Sequence, residues 1–213
     1  MPAILDAFDP GEQQGHAIAD ILLGRVSPSG RLPVSVAQSA GHNIPTVYDY
    51  LPDQRGFYRQ PGTPEKPGRD YVFSSPDPLW SFGFGLGYTT FRYDALKIET
   101  PAIGTNGIAR LSFAVTNTGQ REGKEVAQVY YRDEVSSVVT PLKRLIRFQK
   151  VSLKPGETRR LAFEIPAAEL ALWNVAMQRV VEPGAFEIMV GPAAEDIKLR
   201  GKFEVRTLPL SSP

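Results

Sequence analysis

The chain has 213 residues, 42% of them hydrophobic and 22% charged, with a formal net charge of +1; it can bury a core in one domain or two small ones, and it lacks the basic field that nucleic acid or an anionic bilayer surface requires. With no cysteine, it has no disulfide, no thiolate nucleophile and no cysteine-based zinc or iron–sulfur site. Nineteen glycines and nineteen prolines, together about 18% of the chain against about 12% on average, indicate many turns and therefore many short strands.

From the N-terminus, Ile4-Leu5-Asp6-Ala7-Phe8 is a short strand candidate. A helix is predicted after it, with Asp9 as cap, Pro10 at the first helical position, Glu12 completing a box-like arrangement, apolar Ala17, Ile18, Ile21 and Leu22, and Gly24 as the stop. A parallel strand buries both faces, and one helix cannot cover it, so this βα unit needs neighbours from outside the sequence. Until they are supplied, Ile4, Leu5, Ile18, Ile21 and Leu22 are expected to form an apolar surface open to self-association. No apolar run approaches the ~18 residues of a membrane helix, and the first residues lack the basic region of a secretion signal.

Residues 27–88 are punctuated by Pro28, Gly30, Pro33, Pro45, Pro61-Gly62 and Pro67-Gly68, with hardly any periodicity. A stretch this long either carries function or lies along another surface. Tyr48, Tyr50, Phe57, Tyr58, Tyr71 and Phe73 argue against a floppy linker and are expected to pin the stretch to a neighbouring domain, with a ligand-lining loop as the alternative.

From Tyr93 onward the period is two. Leu111, Phe113 and Val115 alternate with small or polar residues, as do Leu161, Phe163 and Ile165, then Phe186, Ile188 and Val190, and finally Phe203 and Val205. Asn106-Gly107, Asn117-Thr118-Gly119, Pro155-Gly156, Pro183-Gly184 and Gly191-Pro192 supply the turns. The expected fold is mainly β, a fibronectin type III or immunoglobulin-like sandwich over residues 93–213. It is preceded by a βα remnant at 1–40 and an irregular connecting segment at 41–92.

Chemistry is sparse. Glu12 and His16 are four apart, on one face of the predicted helix, but no third ligand accompanies them. His42 stands alone, Asp133-Glu134 point to opposite faces as strand neighbours, and Ser74-Ser75 and Ser136-Ser137 have no base nearby. Gly83-Phe84-Gly85-Leu86-Gly87 lacks the lysine and the following helix of a phosphate loop. Trp80 and Trp173 sit among apolar residues, so core positions are expected for both. No catalytic residue, metal site or cofactor is assigned.

Several ordered motifs carry a resemblance. Phe8-Asp9-Pro10-Gly11-Glu12, Pro28-Ser29-Gly30-Arg31-Leu32-Pro33 and Pro78-Leu79-Trp80-Ser81-Phe82-Gly83-Phe84-Gly85-Leu86-Gly87-Tyr88-Thr89-Thr90-Phe91 resemble the end of the α/β sandwich domain of glycoside hydrolase family 3 and its crossover. Gly123-Lys124-Glu125-Val126-Ala127-Gln128-Val129-Tyr130, Pro155-Gly156-Glu157 and the run from Glu182 to Gly191 are similar to that family's fibronectin type III-like domain. Ser81, Gly87 and Ala193-Ala194 depart from the usual residues.

The resemblance implies a retaining β-glucosidase or β-xylosidase whose nucleophilic Asp and acid/base Glu lie in domains preceding this region, so that no catalytic residue transfers here. The partners it implies are those catalytic domains, with a β-glycoside engaged only through the complete enzyme. Tyr48, Arg69 and Tyr71 are the candidates for touching substrate. The compartment stays open: the expectation for the parent is periplasmic or secreted, with cytoplasmic as the alternative. The rival class is a free-standing carbohydrate-binding or interaction module.

Overall fold

A computed structural model describes residues 3–40 and 78–207. The helix α1 runs Gln14–Leu22, followed by β1 Phe91–Ile98, β2 Ala102–Gly104, β3 Ile108–Asn117, β4 Gly123–Asp133, β5 Arg144–Leu153 and β6 Thr158–Pro166. A 3-10 turn at Ala167–Leu170 leads into the short hairpin β7 Leu172–Trp173 and β8 Arg179–Val180, then β9 Gly184–Gly191 and β10 Leu199–Arg206.

Two sheets face each other, one ordered β1-β3-β6 and the other β2-β10-β9-β4-β5. All pairings are antiparallel except β2 with β10. The mainly β sandwich expected from the alternating residues is therefore present. Leu111, Phe113 and Val115 from one sheet meet Val129, Tyr131, Ile188 and Val190 from the other. Aromatic rings run through this core: Tyr93 and Phe113 stack at 6.2 Å, Phe113 and Phe163 at 5.7 Å, and Phe186 and Phe203 at 5.6 Å.

The five-stranded sheet is covered on its outer face too. Tyr130 and Met189 point away from the main core and pack with Ala194, Phe82, Leu145 and Ile197. Residues 79–84, which provide Phe82, also bond to residues 32–36: Leu32 N–H donates to Phe84 O, Gly83 N–H to Leu32 O, and Val36 bridges Trp80. The N-terminal part is thus tied to the strip that lies across the sandwich.

Two N-terminal expectations are corrected. Residues 4–8 form no strand, and Ile4 and Phe8 are exposed, because among the described residues no strand lies alongside to take their backbone bonds. Asp9 and Glu12 cap nothing: Gly11 at φ +69° turns the chain first, and α1 starts at Gln14 behind Gln13, which makes no side-chain cap bond. Glu12 therefore precedes the helix, does not share a face with His16, and both are exposed. The stop holds. Gly24 at φ +71° donates to Ile21 O and Arg25 donates to Asp20 O, a Schellman pattern.

Candidate functional site

The least expected side chain of the sandwich is Glu125, which shares the inward face of β4 with Ala127, Val129 and Tyr131. Only 3% of its side chain is exposed, and both oxygens are taken. Arg31 Nη2 donates to Oε2 at 2.9 Å and the Tyr93 hydroxyl donates to Oε1 at 2.8 Å. Burial, with the Glu125 charge adding to it, pushes the Tyr93 phenol well above its usual range, so it stays a donor. Across the sheet, burial and the charges of Lys124 and Arg31 hold the Lys150 ammonium below its usual range.

On the outer face of β4, Gln128 Nε2 donates to Gly83 O at 3.2 Å and to Pro192 O, while its Oε1 accepts from Tyr130 at 2.6 Å. The glycine run explains itself here. A Cβ on Gly83, already at φ +81°, would lie 2.3 Å from Gln128 Oε1, and one on Gly85 would lie 2.4 Å from Gly30 O. The run is a strip of backbone pressed against the sandwich, in agreement with the missing lysine and helix. Asn117 closes the same end: its Oδ1 accepts from Thr89 and Gly119, and its Nδ2 donates to Arg121 O and Leu153 O.

Eight residues along β4, at roughly 3.3 Å each, the opposite end carries Asp133, which is buried with 8% exposure. Its Oδ1 accepts from Val135 N–H at 3.3 Å. Burial raises its pKa to about 6, and the nearby Glu182 pushes in the same direction. A cavity of about 30 Å³ opens here, lined by Tyr131, Asp133, Thr140, Arg144 and Leu172 among others. Pockets for organic ligands measure ~300–1,000 Å³, so this one has room for water and not for a sugar ring. Glu134, as the strand alternation requires, points elsewhere and pairs with Lys202 at 2.5 Å.

Of the residues singled out from sequence, Tyr48, Arg69, Tyr71, His42 and Ser74-Ser75 lie outside the described residues. Ser136 and Ser137 are structural: Ser136 Oγ donates to Val138 O, and Ser137 gives its N–H and hydroxyl to the two oxygens of Glu182. The core placement of the tryptophans is corrected. Trp80 is half-buried and Trp173 is 60% exposed, because β7 and β8 form a two-stranded flap that pairs with neither large sheet. Among the described residues no group of three His, Asp or Glu side chains could hold a metal ion, and no helix is long and apolar enough to cross a membrane. Arg31, Glu125 and Gln128 were not singled out by sequence, although a carboxylate in phase with Ala127, Val129 and Tyr131 is itself a signal of a buried pair.

Comparison with known proteins places both halves. Residues 1–88 match the glycosyl hydrolase family 3 C-terminal domain and residues 125–194 a fibronectin type III-like domain. A periplasmic β-glucosidase of Salmonella typhimurium is 39% identical over 206 residues, which is 95% of this chain and 26% of that protein. A β-xylosidase of Formosa agariphila is 39% identical over 204 residues, 93% of this chain and 26% of that protein. The solved structure of a β-glucosidase from Erythrobacter marinus superposes with a TM-score of 0.80 at 41% identity, over 96% of this chain and 25% of the other. The chain thus spans about a quarter of the length of the relatives it matches.

Proposed function

The chain belongs to glycosyl hydrolase family 3 and corresponds to its C-terminal part, and from that premise we propose that it is the non-catalytic C-terminal portion of a retaining β-glucosidase-like hydrolase. Its partners are the N-terminal catalytic domains of the parent enzyme, which hydrolyses terminal β-D-glycosides. The sandwich braces those domains. The observation that carries this is the contrast within the chain: α1 buries none of its residues, while residues 28–36 and 79–87 fasten that unfinished layer to a complete sandwich.

Retention needs two carboxyl groups about 5–5.5 Å apart across the sugar ring. Glu125 has both oxygens occupied, Glu182 is spent on Ser137, and Asp133 borders a cavity too small for a sugar. We therefore assign the chain no catalytic residue and divide it into an α/β remnant at 1–40, a wrapping segment at 41–92 and the sandwich at 93–213, with Tyr48, Arg69 and Tyr71 as candidate substrate contacts in the complete enzyme. Without its neighbours, the face around Ile4, Leu5 and Leu22 drives self-association.

The test is hydrolysis of aryl β-glucosides and β-xylosides. The chain alone should not exceed the buffer blank, and co-expression with the barrel and preceding α/β region of a matched relative should restore turnover. Turnover by the chain alone, lost on changing Asp133 or Glu182, would overturn the reading. The rival, a free-standing carbohydrate-binding sandwich, draws on the exposed Trp173. Titrating cello-oligosaccharides while following tryptophan fluorescence separates the two, since only the rival expects saturable quenching that Trp173→Ala removes.

A further inference from the structure

The end of the sandwich at Asp133 contains a charge problem that bracing the catalytic domains does not explain. Residues 134–143 join β4 to β5; the Glu134 amide donating to Ala185 O and Lys143 bound to Ala194 O and Glu195 fix the two ends, and two carboxylates hold the stretch between them. Asp133 holds the loop by accepting from the Val135 amide, and Glu182, just before β9, holds it through the Ser137 amide and hydroxyl. Among the described residues, each nearby cation is committed elsewhere. Arg144 donates to the Tyr131 hydroxyl and lies 5.9 Å from the centre of that ring. Lys143 is bound to Ala194 O and Glu195, and Lys202 to Glu134. Arg147 is paired with Glu169 beside the 3-10 turn, and Arg200 with Glu187 on β9. Two groups favour the carboxylate, the Val135 amide through its hydrogen bond and Arg132, the strand neighbour that points to the other face, and together they offset burial only in part. Tyr131 is itself pushed upward by burial and stays neutral.

We propose that residues 134–143 are a pH-sensitive loop, closed over the cavity while the Asp133 carboxyl is protonated and loosened when it ionises beside Glu182. A buried carboxylate with one hydrogen bond and a second carboxylate close by is costly, and the cavity of about 30 Å³ beneath the loop gives water a way in once the loop lifts. The raised pKa of Asp133, about 6, places the change between mildly acidic and neutral conditions. The loop carries Val135 and Val139, 81% and 57% exposed, so the shape of this end of the sandwich changes with it. The proposal stands whether or not the parent is a glycosidase.

Amide hydrogen exchange on the full chain tests it, with rates corrected for the intrinsic dependence on pH. Protection of the Val135 and Ser137 amides should fall about tenfold or more from pH 5 to pH 7.5, while that of Val129 in the core of β4 stays constant. In Asp133→Asn the fall should vanish. Equal protection of the loop amides at both pH values in the wild type, or an undiminished fall in Asp133→Asn, overturns the proposal. If that variant fails to fold, the side-chain carboxyl carbon of Asp133 is titrated by NMR in the wild type. A midpoint near 6 shared with the Val135 amide is expected, and one in the ordinary carboxylate range overturns it.

Discussion

The helix near the N-terminus and the sandwich treat their apolar side chains in opposite ways. No residue of α1 is buried, and Leu22 and Leu23 are 69% and 66% exposed. In the sandwich, Phe113, Val115, Val129, Leu153, Ile165 and Ile188 are fully buried. Burying a side chain of this size is worth about 1.5–3 kcal/mol, so one region carries its own stabilisation and the other relies on what it is fastened to. The fastening is local: the ion pair at Glu125, the backbone bonds of residues 32–36 with 79–84, and the bonds from Tyr88 to Ile21 O and from Arg121 to Gly24 O.

The contrast is broken most forcefully in the core. Phe113 stacks between Tyr93 and Phe163 and has no exposure, so Phe113→Ala should cost about 3–5 kcal/mol, read as a lower urea midpoint. Residues 93–205 should also survive limited proteolysis after cleavage within residues 27–88, because the strands bury one another within that segment. A resistant fragment that kept α1 and lost the strands would mean that the two regions had been assigned the wrong way round.

At the seam, Glu125→Gln should cost about 2–3 kcal/mol, because it leaves the Arg31 guanidinium buried without its charge partner. Arg31 Nε is already buried with no hydrogen-bond partner, which leaves little slack for repair. Replacing both residues, Arg31→Met with Glu125→Gln, should recover much of the loss. Strict additivity in that double-mutant cycle would show that the pair does not couple the N-terminal part to the sandwich.

Asp133 is the counterexample within the sandwich, a buried carboxylate without a committed cation among the described residues. Its native pKa of about 6 lies above the ordinary 3.8, so the folded state favours the neutral acid. That contribution is full below pH 4 and is lost as the pH rises through 6. Asp133→Asn removes the titration, so the variant should match the wild type near pH 4 and exceed its stability by about 1–2 kcal/mol at pH 7.5, within a ceiling of about 3 kcal/mol. The opposite signs expected at neutral pH for Glu125→Gln and Asp133→Asn separate a paired buried carboxylate from an unpaired one.

How much could be read in advance follows the same division. The strands β3, β6 and β10 were legible because one face is apolar and the other small or polar, and β9 because Phe186, Ile188 and Val190 alternate strictly even though Met189 is buried on its outer face. The strand β4 was less so: Gln128 and Tyr130 are buried on the face opposite Ala127 and Val129, and the cover comes from residues distant in sequence, Phe82, Gly83 and Ala194. The strand expected at residues 4–8 failed because local pattern assumed a neighbouring strand that the described residues do not supply, and the cap expected at Asp9 failed because Gly11 turns the chain before the helix starts at Gln14. Gly24 succeeded because a Schellman stop needs only its own helix. The Arg31–Glu125 pair joins residues 94 positions apart, a contact that spacing alone does not reveal.

The smallest expected effect on stability is also the sharpest test of the N-terminal half. Leu22 ends α1 with most of its surface in solvent, and no residue of that helix is buried, so Leu22→Glu removes no packing and should change stability by no more than about 0.5 kcal/mol. The same substitution places a charge among the exposed apolar residues of the N-terminal part, which include Ile4, Leu5 and Leu23, where association would bury it. Sedimentation of the full chain should therefore show weaker self-association with an unchanged urea midpoint. A drop in the midpoint comparable to that of Phe113→Ala would mean that α1 is part of the core after all, and unchanged association would mean that this face is not the sticky one.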